Sequence, residues 1–489
     1  MARNRQTRSW AGGSLTGASR VPLWLDNAGA PAPRGSLDAD LLVDLLVVGG
    51  GFTGLWAALQ AVEENPGRSV ALVEAGSLGW AASGRNGGFC SATLTHGLSN
   101  GLSRWPGEMA LLERLGRENL DGIEQSIARH GIDCGWTRAG EMTAAVEPWQ
   151  VDDLAESVRV AQQLGGRATM VDAVGARAVA GSHTYLAGAV DPDSTAVLDP
   201  ARLVWGLADA VERLGVTIVE GTRVVGLRDE GTRVAARVCT GLDTGLASAP
   251  ESSVVREFTV RASRVVLATN VFPNPLRRLR PFTVPVWDHV LATEPLTDRQ
   301  WDDLGWHGGQ GISDAGNQFH YYRTTPDRRV VWGGYDALYY YGSDLAQRRM
   351  RRDDTEKRLA EHFFTTFPQL RGVRFSHAWG GAIDTSTRFT ALWARALGGK
   401  VASVNGFTGL GVGASRFGAR VALDLLEGTE NERTRLSMVR RPPLPFPPEP
   451  VRWAGIELTR ASLARADASN GHRNLWLRTL DRLGLGFDS

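Results

Sequence analysis

Two kinds of hydrophobic pattern alternate along the chain. Residues 45–48, 69–74 and 264–268 are short apolar runs, with the length and continuity of strands buried on both faces of a parallel sheet. After the first run, residues 49–54 are mostly glycine, and residues 55–64 read as a helix stopped by Pro66 and Gly67. Strand, glycine turn, helix and strand together predict one βαβ unit. The same style returns later. Asp199 stands where it caps a helix whose first residue is Pro200, with Leu203, Leu207, Val211 and Leu214 on one face and Gly215 at its end. Residues 216–219 and 223–227 read as strands. Residues 413–427 read as a helix, with Phe417, Val421 and Leu425 spaced by four and Gly428 as the stop.

Between these lie segments of another character. Residues 107–165 read as mostly helical and polar-faced. Residues 281–336 are rich in β-branched and aromatic residues and contain a predicted hairpin: 318–323, a turn at Thr325-Pro326-Asp327, then 329–334. A helix over 353–366 follows, with Leu359, Phe363 and Phe367 on one face. The chain thus weaves between a nucleotide-binding domain and a sheet domain, a mixed α/β (α+β) fold.

Length and charge narrow the field. With 489 residues the chain is long enough for two or three domains and a large core. Lys plus Arg number 54 against 53 Asp plus Glu, so nothing favours a nucleic-acid partner. Lys357 and Lys400 are the sole lysines, which restricts any mechanism that needs one. Cys90, Cys134 and Cys239 are far apart and odd in number, which gives neither a disulfide framework nor a metal site and suits a reducing cytoplasm. Arg3, Arg5, Arg8 and Arg20 precede no apolar run, so the first residues read as a disordered leader. Residues 41–59, the most apolar stretch, carry Asp44 and a glycine cluster and make a poor membrane span. Residues 442–450 are a proline-rich spacer, and the tail beyond holds two candidate amphipathic helices with Leu475, Leu480 and Leu483.

The glycine turn Gly49-Gly50-Gly51-Phe52-Thr53-Gly54 fits GxGxxG between a strand and a helix. Its glycines serve the tight turn, the close approach of pyrophosphate and helix–strand packing, and the helix N-terminus offers N–H groups to the phosphates. Glu74 ends the second strand, twenty residues after Gly54, where its carboxylate accepts from ribose hydroxyls and repels a 2′-phosphate. FAD or NAD is therefore favoured over NADP. Ser83-Gly84-Arg85-Asn86-Gly87-Gly88 reads as a second cradle, along pyrophosphate and flavin, which a nicotinamide enzyme does not need.

At these residues the chain resembles the D-amino acid oxidase (DAO) family of FAD-dependent oxidoreductases, and within it the gamma-glutamylputrescine oxidase-like branch. The resemblance spans about residues 22–430. It is carried by residues 47–55, by Ala82 to Gly88, by Val265-Val266-Leu267-Ala268-Thr269-Asn270, by Trp379-Gly380-Gly381, and by Gly409-Leu410-Gly411-Val412-Gly413-Ala414-Ser415. It implies a Rossmann-like FAD-binding domain interleaved with an antiparallel-sheet substrate domain, and amine or amino-acid oxidation. The expected segments are a leader, partly disordered, over 1–40; cofactor domain over 41–105, 185–275 and 376–430; substrate domain over 106–184 and 276–375; and a spacer and tail over 431–489. Expected cofactor contacts are Gly49, Gly51, Phe52, Thr53, Gly54, Glu74, Ala75, Ser83, Gly84, Arg85, Asn86, Gly87, Val224, Thr269, Asn270, Gly380, Gly409, Leu410, Gly411 and Val412. No metal is expected.

The chain also departs from relatives. Where some attach flavin covalently, through a histidine near the Ser83 loop or a cysteine near the C-terminal glycine loop, those regions here offer Arg85-Asn86 and no cysteine, so non-covalent FAD is expected. In the sarcosine oxidase branch one lysine aids the reaction with dioxygen and another holds the substrate carboxylate. Trp332 and Gly413 stand at those places here.

Flavin oxidation of an amine calls for an aromatic, partly dry pocket more than for a strong base. Tyr322, His320, Trp379 and Tyr335 are the expected substrate-side residues, with Tyr321 as the alternative to Tyr322, and Trp287 and His289 as further walls. The two histidines read first as hydrogen-bonded structural groups, and Arg323 as an exposed sheet residue, with a substrate carboxylate as the alternative partner. The electron acceptor is left open between dioxygen, for an oxidase, and a quinone or carrier protein, for a dehydrogenase. A non-catalytic flavoprotein subunit is the reading from another class. The particular amine and the oligomeric state do not follow from the sequence.

Overall fold

The computed structural model describes residues 11–26, 29–242 and 254–486. Its first sheet has eight strands, and its centre is parallel. Leu41–Val48 lies between Val70–Val73 and the long strand Arg256–Leu267, with Val47 opposite both Leu72 and Val266. Thr217–Val219 extends the sheet beyond Val70–Val73, and Val401–Asn405 then Leu392–Ala396 extend it on the other side. The antiparallel strands Thr222–Asp229 and Val234–Thr240 continue from the first half of Arg256–Leu267. Three chain segments, far apart in sequence, therefore share this one sheet.

Its two faces are covered differently. Leu45 and Val47 point into a core shared with helices Phe52–Glu64, Pro200–Arg213 and Gly411–Glu427, where Leu55, Trp56 and Val421 are fully buried. Leu46 and Val48 point the other way, into a smaller core with Val234, Ala236 and Val238 of the antiparallel extension. The predicted cap is present: Asp199 accepts from the N–H groups of Ala201 and Arg202 at 3.0 and 3.1 Å.

The second sheet is also eight-stranded. Its order is Phe375–Ser386, Thr283–Thr293, Val330–Gly334, His320–Thr324, Gly311–Asp314, Glu141–Ala145, Ala187–Asp191 and Thr169–Asp172. Every pairing is antiparallel except Gly311–Asp314 with Glu141–Ala145. Helix Asp353–Thr366 covers one face with Phe363 and Phe364, while Tyr321 and Arg323 point to the opposite face. Residues 107–165 are mostly helical, as expected, in Met109–His130 and Trp149–Gln163, and the strand Glu141–Ala145 is an addition that the sequence did not suggest. Its Glu-Met-Thr-Ala-Ala sequence has little strand propensity, and its two sheet neighbours decide the conformation.

The chain ends also pack. Of the expected leader, residues 1–10 lie outside the described residues, whereas Ser19 exchanges backbone bonds with the strand Phe375–Ser386 and Trp24 donates from Nε1 to Asn86 O at 2.7 Å. In the tail, Asp467 at the end of helix Val451–Asp467 accepts from the N–H groups of Asn317 and Gln318, both at 2.9 Å. Among the described residues, no helix is long and apolar enough to cross a membrane.

Candidate active site

The glycine turn is built for close approach. At Gly49 φ is +113°, and a side chain there would run into the carbonyl of Ala268; at Gly54 it would run into the carbonyl of Gly49. Helix Phe52–Glu64 begins after Gly51 with no side-chain cap and no acidic residue in its first turn. Its open N-terminus therefore presents N–H groups and partial positive charge to an anion. Thr53 lies in that first turn. The Ser83 hydroxyl sits just above, accepting from Phe52 N at 3.0 Å.

Glu74 lies beside the turn. Its carboxylate accepts from Gly50 N at 2.6 Å and from Gly76 N at 2.8 Å, and burial pushes its pKa up against these bonds. Ala75 follows it, partly buried. Thr269 Oγ1 and Asn270 Oδ1, just past the end of the long central strand, are buried with no partner among the described residues, and Asn270 has φ of +50°. Uncapped helix, glycine cradle, acid and orphaned polar atoms fit a dinucleotide in residue type and placement. Val224 lies on a neighbouring strand, packed partly buried against the sheet core.

The loop after Ala82–Gly84 is held firmly. Asn86 donates through Nδ2 to Ala82 O and Ser83 O and accepts at Oδ1 from Gly88 N. Arg85 donates to Trp80 O at 2.7 Å and to Gly380 O at 3.2 Å, and burial without an acid lowers its pKa to about 10. Trp379 Nε1 donates to Arg85 O at 2.9 Å. This tie fastens the loop to the second sheet and places Trp379 and Gly380 beside Arg85.

The closing loop lies at the N-terminus of helix Gly411–Glu427. Thr408 and Gly409 both have positive φ, and Leu410 precedes the helix without a side-chain cap. Gly411 and Val412 form its first turn. Asp384 anchors the loop by accepting from Gly406 N at 2.5 Å, and also from Phe407 N; burial raises its pKa to about 7. Gly413 leaves no room for a side chain, because one would overlap the carbonyl of Ser91.

The substrate-side expectations need correction. Tyr322 does not face the cofactor loops. Its hydroxyl pairs with that of Tyr185 at 2.9 Å, and its ring stacks on Trp332 at 4.5 Å in the core beneath helix Asp353–Thr366. His320 shares that face, bonded to Asp314 at 2.6 Å and to His362 at 2.9 Å. Tyr335 stacks on His320 at 5.2 Å and belongs to the same cluster. Arg323 is not exposed: it donates to Gly88 O and Leu198 O and lies over the Trp24 ring. His289, expected to be hydrogen-bonded, is fully buried with neither ring nitrogen bonded among the described residues, and burial lowers its pKa to about 4. Trp287 is buried, with Nε1 donating to Asp344 O at 3.2 Å.

The residue that does face the loop is Tyr321. Its ring lies edge-on to Phe89 at 5.7 Å and spans Gly333 to reach Asp288, to which its hydroxyl donates at 2.5 Å. Asp288 is paired with Gly381, which lies against Arg85. Burial raises the Asp288 pKa to about 6. Sequence reasoning passed over Asp288. The signal was a lone acid among Val284, Val286 and Val290, which share its side of the strand.

The family model described as DAO, FAD dependent oxidoreductase, matches residues 44–425, and the chain belongs to that family. It is an FAD-dependent oxidoreductase. The chain is 27% identical over 395 residues to the probable oxidoreductase OrdL of Haemophilus influenzae, covering 79% of this chain and 83% of that one. It is also 27% identical over 420 residues to the gamma-glutamylputrescine oxidoreductase of Escherichia coli, covering 85% and 90%. Among solved structures it is similar to glycine oxidase from Bacillus cereus, with a TM-score of 0.63 at 19% identity over 80% of this chain and 98% of the other. That likeness supports the mixed fold of parallel and antiparallel sheets.

Proposed function

We propose that the protein oxidises an amine by removing hydride from the carbon beside nitrogen, giving an imine that water hydrolyses to a carbonyl compound and ammonia or a smaller amine. The observation that carries this reading is the contact between the two halves. The loop Arg85–Asn86–Gly87–Gly88–Phe89 lies directly against the sheet face that bears Tyr321, Asp288 and Trp379. FAD, when bound, supplies the hydride acceptor. The nitrogen lone pair forms the C=N bond as the C–H bond breaks.

The chain's own groups orient and enclose. Gly49, Gly51 and Thr53 would receive the pyrophosphate beside Phe52, whose N–H the Ser83 hydroxyl holds, Glu74 would receive the ribose, and Thr269 and Asn270 would offer unpaired polar atoms to the cofactor. The helix beginning at Gly411 favours negative charge at its N-terminus. Aromatic walls exclude water, which helps an amine give up its proton before oxidation. Nothing in the cradle calls for a covalent link, so FAD is held non-covalently.

The test is the visible spectrum of the purified protein, followed by anaerobic addition of amines and amino acids. Bleaching of the flavin band by one class supports the reading, and a flavin that no member of a broad panel bleaches overturns it. Readmitted air then identifies the acceptor: rapid recovery with hydrogen peroxide means dioxygen, and slow recovery means another acceptor.

A further inference from the structure

Among the described residues Asp288 makes no ion pair. It accepts from the Tyr321 hydroxyl, from His289 N at 2.8 Å, and from Gly334 N, and another acid, Asp336, acts on it. The two arginines nearest the cofactor loop are turned to carbonyls, Arg85 to those of Trp80 and Gly380, and Arg323 to those of Gly88 and Leu198. A carboxylate kept in such surroundings without a cation is costly. It nevertheless stays partly accessible.

The sheet is shaped to present it. Gly333 has no side chain, and one would come within 2.6 Å of the Tyr321 ring, so the phenol lies across the sheet to reach Asp288. Gly87, on the cofactor loop, rests against the same ring, where a side chain would meet it at 2.5 Å. The acid and its phenol are thus clamped between sheet and cofactor loop.

We propose that Asp288, steadied by Tyr321, holds a second cationic nitrogen of the substrate, so that the site selects amines with two ammonium groups over monoamines and α-amino acids. This rests on the reading of the protein as an amine oxidase. A carboxylate beside the reacting nitrogen would keep it protonated and withhold the lone pair that oxidation needs. The nitrogen it holds is therefore not the one that reacts. An α-carboxylate brought to the same face meets a like charge, and the two arginines nearest it, Arg85 and Arg323, are committed to carbonyls.

The experiment uses FAD-loaded holoenzyme under anaerobic conditions. Rates of flavin bleaching are compared for α,ω-diamines of four to six carbons, n-alkylmonoamines of equal length, and α-amino acids. Wild type reacts with diamines at least about tenfold more efficiently than with monoamines, the scale of one charge-assisted hydrogen bond. In Asp288→Asn the efficiency on diamines relative to monoamines falls by about 10- to 100-fold. Tyr321→Phe, which keeps the charge, falls between, and it carries the test if Asp288→Asn does not retain flavin. A readout free of turnover is binding of a bis-quaternary ammonium ion, followed by calorimetry: wild type binds it and Asp288→Asn does not. Equal reaction with diamines and monoamines, or equal loss on both in the variant, overturns the proposal. Preference for α-amino acids overturns it too, while leaving the amine-or-amino-acid oxidase reading intact. Wild-type flavin that no compound bleaches overturns that reading instead, and the bis-cation binding then still judges Asp288.

Discussion

Replacing Asp384 by asparagine should change how stability depends on pH. Asp384 is buried at 2% exposure, and its pKa is raised from 3.8 to about 7 because burial outweighs its bonds from Gly406 N and Phe407 N. The folded protein therefore keeps a proton that the unfolded chain releases between these values. Stability from this group is complete below pH 3.8 and is lost as pH rises to about 7. About three pKa units at about 1.4 kcal/mol each make a total of about 4 kcal/mol. The asparagine of the variant does not ionise, so that slope disappears. Its amide accepts one N–H where the carboxyl accepted two, a loss of about 1 kcal/mol at every pH. Buried His289 and His362, with pKa values lowered to about 4, act in the opposite direction, losing stability as pH falls from 6.5. They are common to both proteins and cancel in the difference. Urea unfolding of both holoproteins at saturating FAD, at pH 5 and pH 8, should show the difference moving in the variant's favour by about 3 kcal/mol. Unfolding curves that stay parallel to within about 1 kcal/mol would refute the assignment of a high pKa to this carboxyl.

Three further substitutions separate cofactor, core and interface. Gly54→Ala forces the helix Phe52–Glu64 away from the carbonyl of Gly49, costing about 1–3 kcal/mol of stability and most of the bound flavin, measured by unfolding and by the flavin-to-protein absorbance ratio. Tyr322→Phe removes the bond to Tyr185 and costs about 1 kcal/mol, but leaves the rate of flavin reduction within about twofold, because the ring lies in the far core. Arg323→Met strips the carbonyls of Gly88 and Leu198 of a donor, and should lower thermal stability and loosen flavin, read by the unfolding midpoint and by the FAD dissociation constant.

How far the sequence revealed the site depended on what covers each element. Continuous apolar runs betrayed the central strands, and the helix Asp353–Thr366 was legible to the residue from its apolar spacing. The glycine turn and Glu74 were legible because their chemistry demands those residue types at that spacing. Tyr321 and Tyr322 were harder. Alternation shows which residues share a side of the strand, but here both sides are buried, one under helix Asp353–Thr366 and the other under the cofactor loop. Composition therefore did not reveal which side meets the substrate. His320 and Tyr335 went astray for the same reason, drawn with Tyr322 into the aromatic cluster. Asp288 was hidden by its neighbours Trp287 and His289, whose rings drew attention to the opposite side of the strand.

The interleaving of the first sheet sets a clock on the maturation of this enzyme. Leu41–Val48 is made early, yet Arg256–Leu267, its neighbour, must exist before it has a partner on that side, and Val401–Asn405 must follow to complete the row. The closing loop and the helix Gly411–Glu427 emerge later still. At about 5–20 residues per second, synthesis from the first of these strands to the last takes on the order of 20–70 s. Until then the apolar faces of the early strands wait on the ribosome without their final cover. FAD capture is consequently a late event in the life of the nascent chain, and a supply of cofactor at chain release matters more to yield than one present at initiation.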